Sequence, residues 1–534
     1  MNDKEFNLLD ERWIRVIDQD CKVAEASLME VFRDAHKYKD LCGELPTQDF
    51  AVMRVLLAIL HTVFARYDVE GNLSQLNDPD DALDRWEELW SNKKFPAEVI
   101  TGYLESQREN FYLFHPTRPF FQCERAKIGT EYSAAKLNGN LSESSNKVRL
   151  FSNVNGQMKG VMDFSEAVGW LIYVNAYDDT SAKPSSEAKK LDTKLPSPGV
   201  GWLGKLGLIS VSGNTLFETL MLNLVFLNEN GELWGEERPI WERDQVADGE
   251  RTEIPLPNNL SELYTLQSRR LYLKRDGEQI IGYHLLGGDF FEKENAFVEP
   301  MTIWRQADNK RIEIFTPRRH DASKQLWRNF STFIQTRENA HRPGILTWID
   351  RLKSESIIED QLLDMKIASV QYGDKDFFVA NVFSDSLQMH AALLSSMNHT
   401  WQNMIINCVE FCDNVSKKVG SFAQDVNMAE GGEFIPKDNK CSAKVYTNKF
   451  KAEFYNRVDT PFRKWLCMIE PEIDDADQRE REWRNECIRI ADNLGREIVK
   501  AADPTAILGR AKEGYSVAKA MNKFKYALSL LKEE

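Results

Sequence analysis

The chain has no C-x-x-C pair, no H-E-x-x-H helix, no G-x-S-x-G elbow and no protein-kinase residue set. Those absences remove the usual sequence signs of thiol redox chemistry, zinc hydrolysis, a serine nucleophile and kinase-type phosphoryl transfer. The eight cysteines are scattered at 21, 42, 123, 408, 412, 441, 467 and 487. Cys408 and Cys412 share a helical face inside an apolar stripe, where packing is the expected use. None of the eight histidines forms a zinc cluster. His320 beside Asp321 has the form of a base and its orienter, but no nucleophile is marked nearby. No window offers about eighteen uninterrupted apolar residues, so no membrane span is expected. Met1 to Asp10, with Asp3, Glu5 and Asp10, does not read as a signal peptide. Net positive charge is missing too: 68 Lys and Arg against 83 Asp and Glu leave −15. That excludes a protein coated in basic surface and leaves room for local basic patches. The expectation is a soluble, cytoplasmic protein in which no catalytic, metal or cofactor site is marked.

At 534 residues the chain is long for one core, and two or three domains are expected. A short strand is predicted within 6–17. Pro46-Thr47 opens a helix over 47–66, with Thr47 as cap and Val52, Val55, Leu56, Ile59, Leu60, Val63 and Phe64 as a wide apolar stripe. Further helix is predicted over 80–105 and over Leu216 to Leu227. The middle holds short strands at 271–273, 279–286, 301–304 and 312–315, with a hairpin turn at Asp276-Gly277. From about Ser384 the pattern becomes helical: Leu387, Ala391, Leu394, Met397, Trp401, Ile405, Cys408, Cys412, Val415 and Val419 step by three or four. Helix resumes over 452–469, around Trp483 to Ile498, and from Pro504 along Ile507, Ala511, Tyr515, Ala518, Met521, Phe524, Leu528 and Leu531. The fold class is therefore α+β: a large mixed domain over 1–380, then a four-helix bundle over 381–534.

The most informative stretch is Pro198-Gly199-Val200-Gly201-Trp202-Leu203-Gly204-Lys205. It spells both G-x-G-x-x-G and G-x-x-x-x-G-K. The second pattern needs Ser or Thr next, for magnesium, and Leu206 stands there. The first needs a strand before it, and the polar run Lys183 to Lys194 is a poor strand. What remains is the physics of glycine: tight turns, positive φ and close approach of backbone to a partner. Two arginine-rich spots, Thr316 to His320 and Arg337 to Pro343, are able to grip phosphates, but salt bridges to the abundant carboxylates are the better expectation for any single Arg. Three readings stay open: a nucleic-acid-binding subunit, a nucleotide-dependent enzyme using 199–205, and a plain assembly scaffold.

Several segments, in order, resemble the large subunit of the type I-E CRISPR surveillance complex, Cascade. They are Phe6 to Val16, the helix at 47–66, Arg118-Pro119-Phe120-Phe121-Gln122, and the Pro198-Gly199 loop followed by an apolar helix. The resemblance covers essentially the whole chain. It implies a non-catalytic subunit that inspects double-stranded DNA for a short flanking motif, helps open the duplex and recruits a helicase–nuclease. Guide RNA pairing supplies the long sequence match. By position, Gly199, Gly201 and Gly204 would present bare backbone to the minor groove, with Trp202 in the loop and Lys205 on a phosphate. Trp202 and Leu203 depart from a plain glycine run: either they pack inward while the glycines face DNA, or motif recognition differs. The resemblance also implies a lysine finger at Lys293 and a duplex-splitting wedge at Lys375, Asp376 and Phe377, where the family's Gln is absent. It places Leu150 or Phe151 on a loop touching guide RNA and the other Cascade subunits, and Lys512, Lys519 and Lys523 along the displaced strand. The cysteine pairs that resemble a zinc site in some relatives are absent here.

Overall fold

A computed structural model describes residues 4–143, 154, 156–180, 199–243, 253–308, 311–334, 341–432, 442–509 and 514–533. The chain divides into two compact units. One holds 1–323, 337–357 and 363–386; the other holds 324–336, 358–362 and 387–534.

The first unit is a mixed α/β body with several small sheets around one long helix, Pro46–Phe64. Proline at the first helical position wastes no N–H, and its fixed φ suits the turn. The helix is apolar almost all round and is buried accordingly. Among the described residues it is the one helix long and apolar enough to cross a membrane, and 94% of that stretch is buried inside the protein. Thr47 is not its cap: Leu45 holds that position without a side-chain bond, and Thr47 lies buried in the first turn.

Arg269–Asp276 and Gln279–Gly287 form the expected hairpin, with Leu271 opposite Leu285 and Gly277 at φ +58° in the turn. Thr130–Ser133 adds a third strand. A second sheet runs in the order Val379–His390, Leu362–Tyr372, Leu208–Ser212. Its last pair sets Met365 opposite Val211 and Ile367 opposite Ile209.

The centre of this unit is polar. Glu299, fully buried, accepts both arms of the Arg54 guanidinium at 2.9 and 2.8 Å. It also accepts the Trp202 indole N–H at 2.8 Å and the Met301 amide at 3.2 Å. The Arg54 cation lies 4.3 Å from the centre of the Tyr264 ring. A carboxylate with this many donors and a bidentate partner is tolerated without water. Nearby, His61 is fully buried and its pKa falls to about 3, so it stays neutral. Burial pushes Glu237 up to about 7, although its carboxylate accepts the Ser261 amide at 2.7 Å.

The second unit is a cluster of long helices, His399–Ala429, Ser442–Cys467, Ala476–Ala501 and Val517–Glu533. Asp475 caps the third through the Gln478 amide. The stripe Trp401, Ile405, Cys408, Cys412, Val415, Val419 and Phe422 is buried, as are Trp483, Cys487, Leu494 and Ile498 facing it. Phe422 stacks on Phe524 at 4.6 Å, and Phe462 meets Trp483 edge-on at 4.9 Å. Cys412 and Cys487 Sγ atoms are 3.9 Å apart as packing thiols.

Two helix boundaries differ from expectation. Leu387 belongs to the strand Val379–His390, and the first long helix begins only at His399. Ala391–Leu394 is a short 3-10 turn, and Met397 is 87% exposed. The last helix is not continuous from Pro504: Pro504–Leu508 is a separate turn ended by Gly509 at φ +76°, and Gly514 is at φ +72° before the helix restarts. Ile507 is exposed, while Val517, Ala520, Phe524, Leu528 and Leu531 form the buried face.

Replacing Arg54 by Met leaves a buried carboxylate without its cation and is expected to cost about 3–5 kcal/mol in chemical denaturation followed by tryptophan fluorescence. Glu237 binds its proton more tightly folded than unfolded, so its contribution is present below its unfolded pKa and is lost as pH rises through about 7. Glu237→Gln keeps an acceptor for Ser261 and removes the ionisation. Its stability relative to the parent should therefore climb between about pH 4.5 and 7 and level off above, as read from denaturation midpoints across pH.

Candidate nucleic-acid interface

The glycine loop packs into the protein core rather than arching away from it. From Val200 to Gly204 every residue is buried, with Trp202 only 3% exposed. The bulky pair Trp202 and Leu203 packs inward, and so do two of the glycines. A Cβ on Gly201 would stand 2.3 Å from the Ala176 carbonyl oxygen, and one on Gly204 would stand 2.2 Å from the Tyr372 hydroxyl. Both glycines are there for want of space. The expectation that Gly201 and Gly204 present bare backbone outward is corrected accordingly for this structure. Gly199 is different: it is half-buried, sits at φ +66°, and has nothing within 4 Å of where a Cβ would be.

Five of the loop's amides are already used. Gly201 N–H donates to the Asp178 carbonyl at 2.9 Å and Trp202 N–H to Ser268 Oγ at 3.2 Å. Gly204, Lys205 and Leu206 donate back within the turn. A phosphate cradle needs such amides aimed outward, and these five are turned to partners inside the protein instead.

Arg269 fixes the start of the loop. Its guanidinium is 1% exposed, meets the Asp178 carboxylate at 2.6 Å, and donates to the Asp179 and Gly199 carbonyls at 3.1 and 2.7 Å. Lys136 pairs with Asp179 at 2.6 Å. One buried cation thus ties the chain at 178–179 to the chain at 199. The Lys-rich stretch 183–194 between them lies outside the described residues.

Two further segments meet this loop. Phe291 packs on Trp202 with ring centres 4.4 Å apart, which brings the segment 288–296 alongside, with Lys293 exposed. On the other flank, the Leu362–Tyr372 and Val379–His390 strands are joined by a tip at 373–378. Lys375 and Asp376 both have left-handed φ, 52° and 59°. For non-glycine residues that costs about 1–3 kcal/mol each and needs outside support. Arg319 supplies it, gripping the Asp376 carboxylate with two bonds of 3.0 Å while its Nε donates to the Gly204 carbonyl at 2.6 Å. Thr180 adds bonds to the Lys375 and Asp376 carbonyls, both 3.0 Å. Lys375 is exposed and Phe377 is 42% exposed at the tip.

His320 is buried, its Nε2 lies 2.9 Å from the Leu208 carbonyl, and burial lowers its pKa to about 4. Asp321 bonds to Ser323 instead of orienting it. Lys523 pairs with Asp425 at 2.8 Å, and Lys519 donates to the Gly514 carbonyl at 3.2 Å. Leu150, Phe151 and Lys512 lie outside the described residues. Among the described residues no group of three or more His, Cys, Asp or Glu is placed to hold a metal.

Comparison with known proteins decides the family. The family model for CRISPR-associated protein Cse1 matches residues 7–494. The chain belongs to the Cse1 family. The Cse1 protein of Thermobifida fusca is 28% identical, with a TM-score of 0.83 over 99% of this chain and 98% of that one. The Cse1 of Acidimicrobium ferrooxidans shares the fold at a TM-score of 0.80, 23% identity and the same coverage. CasA/Cse1 of Thermus thermophilus is 27% identical over 370 residues, 68% of this chain and 66% of that relative, just under two thirds of its length. Cse1 is the large subunit of the type I-E Cascade surveillance complex, a non-catalytic part of RNA-guided DNA surveillance.

Residue patterns in this Cse1 chain did not point to Arg269, Glu299 or Thr180; Arg319 lies in a basic spot for which a salt bridge is the better expectation, and it pairs with Asp376. Each acts across a long sequence distance, which no local pattern records. The loop geometry separates its glycines by effect. Gly201→Ala should destabilise the first unit by about 1–3 kcal/mol through overpacking against backbone. Gly199→Ala meets no atom and pays only for its positive φ, about 1 kcal/mol. Denaturation of the two variants side by side checks the order.

Proposed function

We propose that this chain reads the short flanking motif of double-stranded target DNA for the surveillance complex and begins strand separation beside it. The reading rests on one observation: Gly199 and Lys205, the segment carrying Lys293, and the tip carrying Lys375 and Phe377 are held together by Trp202, Phe291 and Arg319. Lysines at the edge of such a surface attract phosphate, a half-buried glycine admits a groove wall, and an exposed aromatic is suited to wedge between base steps. Compared with the reading from sequence, the part of bare backbone shrinks to Gly199, and the lysines and the tip carry more of the contact. Lys519 and Lys523 on the last helix remain the proposed track for the displaced strand, with Lys523 leaving Asp425 to do so. Guide RNA, the other Cascade subunits and the recruited helicase–nuclease are the proposed partners, in the cytoplasm.

The acidic body keeps the free subunit from coating DNA, so affinity comes from the assembly. In the reconstituted complex, Lys293→Ala and Lys375→Ala are each expected to weaken binding of motif-bearing duplex about fivefold or more and to flatten its salt dependence. Phe377→Ala should slow opening with less effect on initial binding. Filter retention across salt, with motif-bearing and motif-less duplexes, checks this. Unchanged binding by both lysine variants would favour a plain scaffold.

A further inference from the structure

We propose that Arg319 is a positioning residue that couples the seated glycine loop to the hairpin tip, so that the tip is presented to the duplex only while the loop is in place. This deepens the motif-reading function above and rests on it. One guanidinium spans both segments: Nε donates to the Gly204 carbonyl at 2.6 Å, and Nη1 and Nη2 donate to the two Asp376 oxygens at 3.0 Å each. The same cation lies 4.8 Å from the centre of the Tyr372 ring. The Tyr372 hydroxyl donates to the Tyr177 carbonyl at 2.6 Å and fills the space that Gly204 leaves by lacking a side chain. Loop, ring and tip therefore share one joint.

The tip needs that joint. Lys375 and Asp376 are left-handed, and the bonds holding them from outside come from Arg319 and Thr180. Arg319 and Asp376 are about one third exposed, so their pairing adds little to overall stability. Its effect is local geometry. A lysine has one point charge and no fork, so it cannot hold the Gly204 carbonyl and both Asp376 oxygens together. Removing the fork lets the tip relax to ordinary backbone angles and turns Lys375 and Phe377 away from where the loop meets DNA.

The test uses the reconstituted complex with guide RNA and two targets. One is a fully paired motif-bearing duplex with a fluorescent base analogue next to the motif; the other is the same duplex pre-opened there by mismatches. Arg319→Ala is expected to slow opening of the saturated paired target about tenfold and to weaken binding of the pre-opened target only as far as Lys375→Ala does, about fivefold. Arg319→Lys should not restore the rate. Asp376→Ala should give the same loss, and the double variant no further loss. Equal losses on both targets, additive losses, rescue by lysine, or no change would each overturn the coupling. Parent complex that opens a motif-less duplex as fast as a motif-bearing one would instead overturn the motif-reading function itself.

Discussion

The buried carboxylate of Glu299 is the point on which the first unit turns. It is fully buried, with a bidentate arginine from the long central helix and an indole N–H from the glycine loop. A charge in that position is stable only while its donors stay in place. The arrangement therefore fixes Trp202, and with Trp202 fixed, the loop around it has little freedom. Arg269 does the same at the loop's start by holding the Gly199 carbonyl and Asp178 with a second buried cation. Function at the surface is set from the interior: the loop is a rigid seat, and the neighbouring segments are docked to it through Phe291 and Arg319.

This changes what the glycines mean. Glycine serves either as a backbone of free φ or as a residue of no size. Gly199 is of the first kind, and Gly201 and Gly204 are of the second. A read-out of DNA by main chain alone would need several exposed glycines in a row. The structure offers one, flanked by lysines and by a strained tip with an exposed aromatic. The proposed motif reading is then a mixed one, in which charge would bring the duplex in, Gly199 would permit approach, and the tip would act on the base pairs.

Much of the fold was legible because short-range patterns dominate it. The turn Asp276-Gly277 predicted the hairpin, and the apolar stripe from Val52 to Phe64 predicted the central helix. The bundle's helices followed from apolar steps of three and four. Errors arose where local pattern was blind to geometry. Leu387 to Met397 keep helical spacing, yet they form strand and 3-10 turn. The stripe from Ile507 onward ran across Gly509 and Gly514, whose positive φ breaks the helix. Of the interface, the segments were named from resemblance, but their joints were not. Arg54 and Glu299 are 245 residues apart, and Arg319 and Gly204 are 115 apart. Pairings at such separations are produced by folding and leave no spacing to read.

The most direct measurement is a structure of the assembled complex bound to duplex carrying its flanking motif. The expected result has Gly199, Lys293 and the tip at Lys375 and Phe377 against the DNA, with Gly201, Trp202 and Gly204 still buried and Trp202 still bonded to Glu299. A duplex seated on another face, or a loop drawn out of the core with its Trp202–Glu299 bond broken, would contradict the rigid seat.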